Sequence, residues 1–149
     1  MTWQYVLTIF VGAILGGTIG LEREYRSKEA GFRTHFLVGL GSALFMVLSM
    51  HGFDGFEGQP GVIIQRDPAR MAAQVVSGIG FIGAGTIIFR KQENMVSGLT
   101  TAAGLWVVAA IGLACGGGLY VLATAATLMV LVGLEAFNYF LHKLDQHRK

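Results

Sequence analysis

The stretch from Arg66 to Leu113 constrains this chain more than any other. It reads R-D-P-A-R-M-A-A-Q-V-V-S-G-I-G-F-I-G-A-G-T-I-I-F-R-K, then a short polar loop, then S-G-L-T-T-A-A-G-L-W-V-V-A-A-I-G-L. Its first apolar run carries glycines at 78, 80, 83 and 85. In water each interior glycine costs about 1 kcal/mol relative to alanine, so such a run is a poor helix. In lipid an unpaired backbone group costs several kcal/mol, and helix becomes the open solution. The glycines then serve as surface where another backbone approaches closely.

Charge distribution points the same way. Of 149 residues 53% are hydrophobic and 13% charged, against about 25% charged in ordinary soluble domains. The charges are clustered, which leaves apolar runs of roughly 17–23 residues, long enough to cross a bilayer of about 30 Å. We expect one membrane domain over 1–149 and an all-α, polytopic fold of about five transmembrane helices. The spans are predicted near Trp3–Leu21, Thr34–Met50, Ala69–Phe89, Gly98–Cys115 and Leu119–Leu141. Asp67 is expected to cap the third, with Pro68 at its first position. The first run lacks a basic leader and a small-residue cleavage pattern, so it is expected to be a retained span. A net charge of +2 gives no signal for nucleic acid. Cys115 is the single cysteine, so no intramolecular disulfide is available.

Lysine and arginine set the expected orientation. Nine fall on one side (Arg23, Arg26, Lys28, Arg33, Arg90, Lys91, Lys143, Arg148, Lys149) and two, Arg66 and Arg70, on the other. The N-terminus is therefore expected outside and the C-terminus in the cytoplasm. A repeat at one constant offset maps Gly16 to Gly83, Arg23 to Arg90, Gly31 to Gly98 and Thr34 to Thr101, without a gap. It implies two parallel helical hairpins followed by a fifth helix.

Several constellations compete with blander readings. Asp67, Arg70, Gln74 and Ser77 step by three, four and three residues and so share one helix face. They form either a polar membrane site at the outer mouth of the bundle or a capped helix end with a snorkelling arginine. Glu22, Arg23, Glu24 and Arg33 form either an inner ion gate or an interfacial charge cluster. Gly12, Gly16 and Gly20 line one face of the first span, expected to pack against a partner span. Gly78, Gly80 and Gly83 match G-x-G-x-x-G, but a nucleotide fold needs a strand before it and an acid about 20 residues on. Helix contact is the better reading, with a broken, cavity-lining helix as the alternative. Thr100, Thr101, Trp106 and Glu135 are candidate lining residues within spans. His51, Asp54 and Glu57 recur every three residues and read as a solvated loop or a hard-cation site. No nucleophile is paired with a base, so no enzyme is expected. No cofactor is expected, and no metal ligand set is assigned.

Three long blocks resemble the MgtC/SapB family of bacterial membrane proteins. They are G-x-x-x-G-L-E-R-E-Y-R-x-K-x-A-G-x-R-T-H-x-L-V-x-L-G (Gly16–Gly41), D-P-x-R-x-A-A-Q-V-V-S-G-I-G-F-I-G-A-G (Asp67–Gly85) and G-L-T-T-A-A-x-L-W-x-x-A-A-I-G (Gly98–Gly112). The resemblance covers nearly the whole chain. It implies a plasma-membrane protein linked to growth in low magnesium and, in pathogens, to survival in host cells. It also implies action on membrane partners, including the F-type ATP synthase, rather than carriage of magnesium. Virulence-type members add a soluble ACT-like domain and tend to read R-G-L-N-T-A-A-T where this chain has S-G-L-T-T-A-A-G from Ser97. With the chain ending at Lys149, the likeness is to the plainer SapB-like membrane core. Two functions are carried forward: a non-enzymatic regulator, expected as a homo-oligomer in the bilayer (most simply a dimer), and a small ion or solute transporter.

Overall fold

The computed structural model describes residues 2–54, 67–90 and 95–146. Five helices follow in order: α1 (Thr2–Tyr25), α2 (Phe32–His51), α3 (Pro68–Gly85), α4 (Leu99–Gly116) and α5 (Tyr120–Gln146). Three of them, over Trp3–Tyr25, Phe32–His51 and Leu99–Gly116, are long and apolar enough to cross a membrane; Tyr120–Ala136 is a shorter apolar stretch. α3 is not among them, because Arg70, Gln74 and Ser77 interrupt its apolar run. Large apolar side chains such as Phe10, Phe81, Val121 and Met129 stand outward, which a bilayer tolerates and water does not. The architecture is that of an all-helical polytopic membrane protein.

α2 sits between α1 and α4. A Cβ added at Gly16 would fall 2.6 Å from the His35 carbonyl, and one at Gly112 would fall 2.6 Å from the Gly39 carbonyl. Gly12 meets Ala43 and Gly39 of α2, and Gly20 meets His35 and Phe32. The Gly12–Gly16–Gly20 face, expected to await a partner span, is thus filled by α2 of the same chain. The apolar core lies where these helices meet. Ile19, Ala43, Val108, Ile111 and Cys115 are buried there with Ala123 of α5, and Ile79 of α3 is buried with Leu105 and Ala109.

The third span ends earlier than expected. α3 stops at Gly85, where the Thr86 hydroxyl donates to the Gly83 carbonyl at 2.7 Å. Four glycines weaken the helix, and the Thr86–Ile87–Ile88 run favours an extended backbone. Ile88–Arg90 (β1) then pairs antiparallel with Met95–Ser97 (β2), so the expected polar loop begins and ends as a short hairpin. Gly98 closes it at φ 87°, where an added Cβ would run into the Thr86 carbonyl. A side chain has no room there, so glycine is required.

The repeat has a structural counterpart. α2 and α4 begin at equivalent positions of the two copies, each after a glycine N-cap, Gly31 and Gly98. Gly16 faces His35, and the equivalent Gly83 faces Ala102, which is the equivalent of His35. The second contact is looser, at 3.5 Å.

Close packing on α2 makes a specific expectation. Gly39→Ala should destabilise the fold by about 1–3 kcal/mol, the usual range for overpacking, because its Cβ would strike the Gly12 carbonyl. Gly41→Ala, with nothing within 4 Å, should be nearly silent. Thermal unfolding in mild detergent distinguishes the two; equal stability of both variants would contradict the packing scheme.

Candidate functional site

Polar side chains collect where the last turn of α1 meets the first turns of α2 and α4. The chain leaves α1 through a tight turn in which Lys28 N–H bonds the Arg23 carbonyl and Ser27 takes φ 52°. Arg23, 3% exposed, pairs with Glu22. Glu24 turns back and accepts the Phe32 N–H at 2.7 Å, placing a carboxylate at the N-terminus of α2, where the helix dipole favours it. Arg26 lies 3.7 Å from Glu22 and 2.7 Å from Glu135 of α5. The hydrogen bond to Glu135 raises the Arg26 pKa, and the pair ties α5 to this end.

α4 is joined to the same place by Glu29. The Thr101 hydroxyl, 1% exposed, donates to the Glu29 carboxylate at 2.7 Å. The Glu29 pKa lies below its usual value, chiefly through its own backbone N–H and then through Thr101. A cavity of about 600 Å³ opens here, lined by Arg23, Lys28, Glu29, Ser97, Thr100 and Thr101, with Gly133 of α5 at its edge. One turn deeper, His35 is fully buried between Gly20 of α1 and Gly104 of α4. Its Nδ1 lies 3.0 Å from the Gly31 carbonyl, and its Nε2 has no hydrogen-bond partner among the described residues.

The fold therefore joins residues that the sequence separates. Arg23 shares the cavity with Thr100 and Thr101 from the second hairpin, and Arg26 links Glu22 to Glu135 of α5, while Glu24 lies on an adjoining pocket with Lys28 and Arg33. Arg33 is exposed and also lines a groove that α2 shares with α3. Sequence reasoning passed over Glu29 and His35 as site residues. The available signal was a histidine one turn inside an apolar span, since polar groups at membrane depth are costly. Trp106, expected to pack or line the interior, is 51% exposed on α4; the small residues around it already fill the α2–α4 contact.

The α3 face is divided. Asp67 caps the helix through the Arg70 N–H at 3.0 Å, which lowers its pKa, and also holds the Arg70 guanidinium at 3.2 Å. Gln74 lines the groove toward α2, while Ser77 is exposed. Of the α3 glycines expected to make helix contacts, Gly83 meets Ala102, but Gly78 and Gly80 have nothing within 4 Å, because α3 leans on α4 and stands away from α2. His51 lies 3.5 Å from Asp54; Glu57 is outside the described residues. Among the described residues no three His, Cys, Asp or Glu side chains form a metal-binding group.

The sequence pattern of the MgtC family matches residues 9–143. The chain belongs to the MgtC family. YhiD of Escherichia coli strain K12, named as a candidate magnesium transporter, is 47% identical over 144 residues, covering 97% of this chain and 65% of its own length. SapB of Bacillus subtilis strain 168 is 36% identical, covering 96% of this chain and 60% of its own. Protein MgtC of Salmonella typhimurium strain LT2 is 43% identical, covering 88% and 51%. The chain thus spans 51–65% of the length of these relatives. No solved structure matches it. The MgtC-family match takes in all five helices except the first turns of α1 and the last few residues of α5.

Glu29 gives this MgtC-family chain a pH signature. A carboxyl with a depressed folded pKa contributes stability above its unfolded value of about 4, lost as pH falls through the folded value. Wild type should therefore lose more thermal stability on acidification than Glu29→Gln or Thr101→Val. Parallel acid profiles for all three would remove Glu29 from the site.

Proposed function

We propose that the chain is a magnesium-linked protein of the bacterial plasma membrane that acts by contact with membrane partners, without enzymatic activity. The magnesium link rests on the family and on the name of its relative YhiD. The observation that carries the contact reading is the packing of α1, α2 and α4. Their backbones meet through glycines along the length of the bundle, and the one lysine, arginine or carboxylate buried among the described residues, Arg23, lies at one end. Such a centre holds a fixed shape, and a fixed shape is what close packing against a membrane partner requires. The F-type ATP synthase is the partner class implied by the sequence resemblance, and a homodimer remains part of the proposal, now through a face other than the Gly12–Gly16–Gly20 stripe. Transport is the second reading, favoured by the 600 Å³ polar cavity at the Arg23 end.

Complementation and flux separate the two. The regulator reading expects restored growth of a magnesium-limited strain, with no magnesium flux into proteoliposomes above the empty-liposome rate. Flux that Arg23→Gln abolishes would replace regulation with transport. For the polar face of α3, Asp67→Asn keeps the cap, since Asn and Asp cap about equally well. A functional face predicts that a well-expressed Asp67→Asn/Gln74→Leu variant fails to complement; full complementation would reduce that face to a capped helix end.

The orientation proposed is N-terminus outside and C-terminus in the cytoplasm, supported by the nine-to-two bias of Lys and Arg. In a Cys115→Ala background, a cysteine at Asp54 should react with an impermeant thiol reagent added outside, and one at Arg26 should not. The reverse pattern would invert the topology.

A further inference from the structure

A groove of about 660 Å³ runs between α2 and α3, within the range of about 300–1,000 Å³ usual for ligand sites. Its walls are apolar, with Leu37 and Phe45 on α2 facing Met71, Val75 and Ile82 on α3. Its floor is open: a Cβ added at Gly41 or Gly78 meets nothing within 4 Å. One end is basic. Arg33 and Thr34 line the groove and also a second pocket of about 390 Å³, shared with Ser27 and Lys28. Arg33 is exposed and forms no hydrogen bond or ion pair among the described residues. The one carboxylate on that second pocket, Glu24, is engaged with the Phe32 N–H.

We propose that the two adjoining pockets bind one anionic phospholipid, with its phosphate at Arg33 and Lys28 and an acyl chain in the α2–α3 groove. The order of chemistry along the helix is that of an amphiphile: two cations, then a hydroxyl, then an apolar trough. Dimensions agree. Arg33 to Phe45 spans about 18 Å of helix at 1.5 Å per residue, close to the apolar depth of one leaflet, half of about 30 Å. A partner helix would run on through both leaflets, whereas the trough ends at Phe45. Basic pockets between membrane helices attract anionic headgroups. The proposal holds whether the chain regulates or transports.

The test uses the full chain in nanodiscs of phosphatidylcholine doped with phosphatidylglycerol, reading co-retained lipid by native mass spectrometry. Wild type should retain phosphatidylglycerol in preference to phosphatidylcholine. Arg33→Gln should lower that preference about fivefold, the worth of one basic residue near a membrane surface. Gly78→Leu, entering open space, should reduce retention of both lipids with helical circular dichroism unchanged. Equal retention of the two lipids by wild type, or no effect of Arg33→Gln, would overturn the proposal. Dissociation of a dimer by Gly78→Leu with lipid retention intact would also overturn it, assigning the groove to a second copy. Should Gly78→Leu fail to fold, the exposed Arg33→Gln still decides.

Discussion

Gly39 of α2 is approached by Gly12 of α1 on one side and by Gly112 of α4 on the other. Lipid tails are as apolar as leucine, so helices in a bilayer gain little by burying apolar surface against each other. What holds them is close contact, and close contact needs residues without side chains at the crossing points. Three helices in backbone contact form the rigid centre. α5 is attached to it at opposite ends, by the Thr8–Tyr120 hydroxyl pair and by the Arg26–Glu135 ion pair. α3 is attached through Gly83 on Ala102 and the burial of Ile79.

That centre has consequences for its polar residues. With α1 and α2 so close, the last turn of α1 has no solvent on its inner side, and Arg23 is buried against Glu22. His35 is held between the backbones of Gly20 and Gly104, and its Nε2 has no hydrogen-bond partner among the described residues. Charged and hydroxyl groups that would be scattered along separate spans converge at one end because three helix termini converge there. Glu29 and Thr101 bridge the two hairpins.

The two hairpins share a contact but differ in its tightness. Gly16 lies against the His35 carbonyl at a distance that excludes any side chain, whereas Gly83 leaves ordinary van der Waals space at Ala102. The second hairpin is correspondingly opened, and α3 stands off α2. The groove between α2 and α3 follows from this. Arg33, grouped with Arg23 from the sequence, lines the groove instead of the Arg23 cavity and also an adjoining pocket with Glu24 and Lys28.

Much was legible in the sequence by itself. Apolar runs bounded by charge determined the helices, because an unpaired backbone is too costly in lipid for any other local structure. Asp67 and Pro68 marked the start of α3, since capping is chemistry local to one turn. The constant spacing from Gly16 to Gly83 and from Gly31 to Gly98 marked the two hairpins, and the ordered motif blocks marked the family. Tertiary structure alone decided which glycines touch anything. Gly12, Gly16 and Gly20 are consumed inside the chain while Gly78 and Gly80 are left open, though both sets look alike as spacing. It also decided that Glu29, His35 and Thr101 belong with Arg23, and that Trp106 faces outward. Periodicity names a face of a helix; which neighbour that face meets depends on how close the backbones come, and one residue at a crossing point sets that distance.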